Sequence, residues 1–177
     1  MNTKKMLFQA IEKLVGQKQF SKITVQDILD EAEVSRRTFY KYFNDKYDLA
    51  NSFYENYVTN QILIHYDGSN WRELLIQICV FILKNQNYFQ EINKFQGQGS
   101  FLSFLIDYSY HFYSGVYKHN MKIETLSDQD SYRIWYVVGG NIFLLNQWMN
   151  KGYVHKPDQM ADLLLESMPD IFYRYLD

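Results

Sequence analysis

The sequence predicts an all-α protein of about nine helices, with a head of three short N-terminal helices on a larger C-terminal helical bundle. Apolar residues recur at helical spacing almost throughout the 177-residue chain, and no alternating run persists long enough for a strand. Only two prolines and eight glycines interrupt that periodicity. The periodic segments are short before Asp45 and long after it, which divides head from bundle.

Helices are expected at 3–16, 24–32, 36–43, 46–66, 70–85, 87–95, 100–119, 128–151 and 157–175. Four starts carry a capping pattern, a short polar residue followed three positions on by an acid. These are Thr24 with Asp27, Asp45 with Asp48, Asn70 with Glu73, and Ser127 with Asp130. The first residue satisfies free N–H groups and the second favours the positive helix end. Stops fall at Gly68, at Gly97 and Gly99, and at Gly152. Pro157 suits a first helical turn, and Pro169 should kink or divide the last helix. The expected units are 1–48 as the head, 49–66 as the connecting part of the fourth helix, and 67–177 as the bundle.

Composition narrows the function. The first residues, MNTKKMLFQAIEKLVG, have no apolar run of signal-peptide length, and no window approaches the roughly 20 apolar residues of a membrane span. A single cysteine, Cys79, excludes an internal disulfide and a cysteine-rich metal site. A cytoplasmic protein without membrane contact is expected. The net charge of −2 divides into +2 over residues 1–50 and −4 over the remainder. The excess of Tyr and Phe, with Asn and Ile over Ala, matches the codons of an AT-rich genome, so only the placement of particular aromatics informs on function.

The stretch EVSRRTFYKYFNDKYDL, Glu33 to Leu49, sets two arginines beside four aromatics. At 100° per residue, Phe39 and Phe43 lie about 40° apart on one side of a helix. Arg37, Thr38 and Lys41 lie on the other, with Arg36 and Tyr40 on one flank and Tyr42 on the opposite one. Val25, Ile28 and Leu29 form a matching apolar stripe on the preceding helix, and Ser35 can cap the second. Two helices joined by a tight turn, the second with an outward basic face, make a helix-turn-helix suited to double-stranded DNA. Arg36, Arg37, Thr38 and Lys41 suit base edges. Thr24, Ser35, Tyr40, Tyr42 and Lys46 suit phosphate oxygens.

ITVQDILDEAEVSRRTFYKYFNDKYDL resembles the N-terminal DNA-binding region of the TetR (tetracycline repressor) family of bacterial transcription regulators. T-V-x-D-I opens the second helix, A-x-V-S forms the turn, T-F-Y-K-Y-F is the recognition helix, and D-K-Y-D-L starts the fourth. Glu33 stands where the family commonly has glycine, which would cost about 1 kcal/mol if the turn needs a positive φ. The resemblance implies a homodimer on a palindromic operator, its C-terminal part holding an effector pocket. LKNQNYFQEINKFQGQGSFLSFL and VVGGNIFLLNQWMNKG are similar to the C-terminal region of regulators of the dihydroxyacetone-kinase operon group. That similarity includes activators and proteins steered by a partner protein, so the effector is a small molecule or a protein.

Gly139 and Gly140 inside the eighth helix, with Phe143 nearby, suggest close backbone approach at a dimer contact; an interior crossing within one subunit is the competing reading. An effector pocket is expected among Phe104, Tyr108, His111 and Phe112, facing Trp135 and Tyr136. No Gly-rich phosphate loop, nucleophile with a base, or metal-spaced histidine pair is evident, so neither an enzyme nor a cofactor or metal site is expected. Two other classes remain open, a regulator answering to a partner protein and a helical ligand-binding protein without DNA function.

Overall fold

A computed structural model describes residues 3–66 and 70–169, and all regular structure among them is helical. The elements are α1 (Thr3–Val15), α2 (Val25–Ala32), α3 (Arg36–Tyr40), α4 (Lys46–Tyr57), α5 (Trp71–Lys84), α6 (Gln86–Asn93), α7 (Phe101–Met121), α8 (Asp128–Asn150) and α9 (Pro157–Glu166). A short 3-10 turn, Phe20–Lys22, leads into α2.

The four caps form. Thr24 accepts from the Asp27 N–H while the Asp27 carboxylate accepts from the Thr24 N–H, closing a reciprocal box. Asp45, Asn70 and Ser127 accept from the first-turn amides of α4, α5 and α8. Each cap satisfies donors that have no partner within the helix, a contribution of about 1 kcal/mol.

α1 packs on α2 and α4, and α3 closes against α2. Leu7, Ile11, Ile28, Phe39 and Leu49 meet there, all fully buried. In the remainder, α7 lies along α8, α5 along α9, and α6 sits between α1 and α8. Two bonds tie α4 to the later helices: Tyr88 Oη donates to the Ala50 carbonyl at 3.1 Å, and Asn51 Nδ2 to that of Gly99 at 3.0 Å. No helix among the described residues is long and apolar enough to cross a membrane.

Three elements depart from expectation. The helix expected over 36–43 ends at Tyr40, with Lys41 as its C-cap and Phe43 beyond it. The fourth helix is not one rod over 46–66: α4 ends at Tyr57, and a π-helical turn over Val58–Ile62 and a 3-10 turn over Leu63–His65 follow. The Asn60 side chain donates to the Asn56 carbonyl at 3.0 Å, taking the acceptor that the Asn60 N–H would use in an α-helix. The wider turn keeps both Val58 and Ile62 buried. The last helix stops at Glu166, three residues before Pro169, and residues 170–175 of the expected 157–175 span, like Gly68, lie outside the described residues.

Candidate nucleic-acid interface

α2 and α3 meet across a turn that demands an unusual backbone. Glu33 ends α2 at φ 53° and ψ 41°, in the left-handed region, and its N–H donates to the Leu29 carbonyl. The Val34 N–H returns to the same carbonyl at 3.1 Å. The position where the family commonly has glycine, and this chain Glu33, therefore does need a positive φ.

Ser35 then caps α3, accepting from the Thr38 N–H at 3.1 Å. Phe39 and Phe43 are buried, joined edge to face or tilted with Tyr40, Tyr42 and Phe8. Arg36, Arg37 and Lys41 are exposed, with Tyr40 and Tyr42 exposed on the flanks. The short helix is thus held by its phenylalanines and presents its cations to solvent. Arg36 Nη2 donates to Gln26 Oε1 at 3.2 Å, linking the outer faces of α2 and α3. Lys4 stands 5.9 Å from the Tyr42 ring, so α1 adds a cation to the same side. Gln26 and Lys4 were not singled out in the sequence because their neighbourhood with α3 depends on how the helices pack.

The hydroxyl and ammonium candidates divide. Tyr40 and Tyr42 remain outward. Thr24 and Ser35 hold their hydroxyls in caps, and Thr38 Oγ1 lies 2.8 Å from Ser35 Oγ. Lys46 is the clearest correction. Its ammonium donates to the carbonyls of Phe20 at 3.0 Å, Ser21 at 3.2 Å and Ile23 at 2.7 Å, and lies over the rings of Phe20 and Tyr47. All three protons are used inside the protein, so it ties the 3-10 turn to α4 where a phosphate contact was expected. Burial pulls its pKa down, against the pull of Asp27 and Asp45. Lys18, with the Thr24 backbone and hydroxyl, holds the Asp27 carboxyl well below the usual carboxylate range.

The six residues expected to line an effector pocket are not gathered. Tyr108 and Phe112 face a partly open cavity of about 50 Å³ between the end of α4, the two turns after it, α5, α7, α8 and α9. Phe104 stacks on Tyr108, while His111 and Tyr136 point to solvent. Trp135 lies flat on Tyr110 at 4.0 Å, on the outer side of the α7–α8 pair. Asn141 Nδ2 donates to Tyr113 Oη at 3.3 Å beside the cavity, and Tyr108 Oη lies 3.1 Å from Thr59 Oγ1. On the opposite side of α8, Tyr132, Tyr136 and Phe143 are exposed beside Gly139 and Gly140, where an added Cβ would meet nothing within 4 Å.

A short cationic helix set by a tight turn against a capped partner, and carried on a larger helical body, defines a helix-turn-helix transcription regulator. The model for the TetR family of bacterial regulatory proteins matches residues 7–53, and a model described as a transcriptional regulator C-terminal region matches residues 69–170. The chain belongs to the TetR family of transcription regulators. It is 25% identical over 128 residues to the HTH-type dhaKLM operon transcriptional activator DhaS of Lactococcus lactis, an alignment covering 72% of this chain and 63% of that protein. The solved structure of a dihydroxyacetone kinase operon activator, DhaS, superposes with a TM-score of 0.64 at 21% identity, covering 94% of this chain and 96% of the other. A TetR regulator from Streptococcus agalactiae gives the same TM-score and identity, covering 94% of this chain and 93% of its own. At these identities the structural likenesses establish the fold.

Proposed function

We propose that the protein is a cytoplasmic homodimer that binds a palindromic operator through α3 and whose DNA affinity is set by an effector acting on the helices after residue 66. The observation that carries this is the outward face of Arg36, Arg37 and Lys41 on a helix fixed by buried Phe39 and Phe43. The arginines and Lys41 read base edges or phosphates, and Tyr40 and Tyr42 position the helix on the backbone. Residues 1–48 form the DNA-binding unit, 49–66 the connection, and the remainder the dimerisation and effector unit.

One recognition helix per chain reads few bases, so two-fold pairing supplies the second half-site. The exposed face of α8 suits that pairing. Gly139 and Gly140 each cost the helix about 1 kcal/mol relative to alanine, and no contact within the chain fills the space they leave. Phe143 and Tyr136 beside them are large apolar groups with no cover in the single chain. The cavity beside Tyr108 and Phe112 is the effector site. Because the Lactococcus relative is named an activator, the direction of control is to be read from transcription as well as from DNA binding.

Selection from random duplexes, followed by sedimentation, tests the reading. The expected product is an inverted repeat whose half-sites lie about one helical turn, roughly 34–36 Å, apart and bind two chains. Phe143→Glu should leave a folded monomer with weakened operator binding. A wild-type monomer that stays monomeric with every duplex overturns the proposal.

A further inference from the structure

We infer that the cavity beside Tyr108 and Phe112 takes a compact, uncharged molecule of a few heavy atoms, mostly hydrocarbon with one hydroxyl or carbonyl group. This rests on reading that cavity as the effector site. The size follows from the volume. At about 50 Å³ the space is a small fraction of the roughly 300–1,000 Å³ of drug-sized pockets, which limits a ligand to a few heavy atoms.

The charge class follows from the walls. None of the side chains lining the cavity is charged. Trp71, Leu74, Val138 and Ile142 make the surface largely hydrocarbon, and the polar atoms come from groups such as Ser109 and Asn141. A carboxylate, phosphate or ammonium entering here would lose its water without gaining a counter-charge. A single hydroxyl or carbonyl finds a partner in the Ser109 hydroxyl or the Asn141 amide. The walls also stay neutral over a wide pH range, because burial pushes the Tyr113 hydroxyl up to about 12 and raises that of Tyr54 further.

Butan-1-ol, propionate and n-butylammonium have equal heavy-atom counts and differ in charge. Saturation-transfer NMR with the full chain at neutral pH and equal probe concentrations compares them directly. Butan-1-ol is expected to bind at about millimolar affinity, as its size permits, and the two ions to give no saturable signal. Ser109→Leu and Val138→Leu, each adding volume at the wall, should weaken butan-1-ol binding by about tenfold. Two variants guard against one failing to fold. Equal binding of the ions, no butan-1-ol binding, or binding unchanged in both folded variants overturns the inference. Operator binding by the same protein is measured separately. Loss of the ligand class with operator binding intact leaves the regulator reading standing. Butan-1-ol binding with no effect on operator affinity keeps the ligand class and removes effector control by this cavity.

Discussion

Phe95 lies stacked on Tyr47, with ring centroids 4.3 Å apart and planes 26° from parallel. Tyr47 belongs to the first turn of α4, beside the helix-turn-helix, and Phe95 to the connection between α6 and α7. Phe20 meets the same Tyr47 ring edge-on at 5.5 Å, and its N–H donates to Glu91 Oε2 at 3.3 Å. Head and body are therefore joined at the start of α4 as well as through its far end.

Phe95→Ala should remove this joint. The expected loss is about 1–3 kcal/mol in chemical denaturation, with faster amide exchange in the first turn of α4 and in residues 94–100. Gly97→Ala should act in the same direction, because a Cβ there collides with the Phe95 ring. Unchanged exchange at α4 in both variants would show that the stack carries no coupling.

Arg37→Ala and Lys46→Met separate recognition from architecture. Arg37 is exposed on the outer face of α3, so its loss should leave the melting temperature unchanged and cost about 1–3 kcal/mol of operator binding per half-site. Lys46→Met removes the donor to three carbonyls, those of Ser21 and Ile23 among them, and should destabilise the fold by about 1–3 kcal/mol. A Lys46 variant with wild-type stability and a reduced salt dependence of DNA binding would restore it to the phosphate contacts.

Glu33→Gly should stabilise the protein. The left-handed backbone at φ 53° strains a residue with a Cβ, and glycine relieves this at some cost in unfolded-chain entropy, for a net gain of up to about 1 kcal/mol. Denaturation midpoints at constant m-value measure it, and a lower midpoint would mean that the Glu33 side chain offsets its own strain.

Stability should fall on the alkaline side. Burial raises the Tyr88 hydroxyl well above the usual tyrosine range and Tyr113 to about 12. A folded pKa above the unfolded one means the neutral form is favoured in the native state. The stabilisation is full below about pH 10 and is lost as pH rises towards 12. Tyrosinate absorbance should rise together with unfolding over that window, and Tyr113→Phe should flatten the decline.

The sequence showed the local rules clearly and the tertiary ones poorly. The caps at Thr24, Asp45, Asn70 and Ser127 depend on residues three apart or less, and the burial of Phe39 and Phe43 on a spacing of four. Both can be read from spacing. The π turn was hidden because Asn56 and Asn60 sit at ordinary helical spacing, and only the side-chain bond between them disturbs the ladder. Lys46 looked like a phosphate ligand because its place at a helix start is local, whereas its three carbonyl partners lie more than twenty residues away. Trp135 and Tyr136 looked like pocket walls because both are aromatic, but the α7–α8 crossing turns that side of α8 outward.

The π turn over Val58–Ile62 holds one more residue than an α-helical path of the same rise. Elsewhere in a helix, one inserted residue would rotate everything beyond it by about 100° and turn buried faces to water. Here the surplus is confined to a single widened turn, with Tyr54 before it and Ile62 at its end both still buried. Deleting one residue from this turn would close a regular ladder and leave the aim of the DNA-binding helices untouched. The turn is therefore a place inside helical structure where the chain can change length by one residue without turning its buried faces outward.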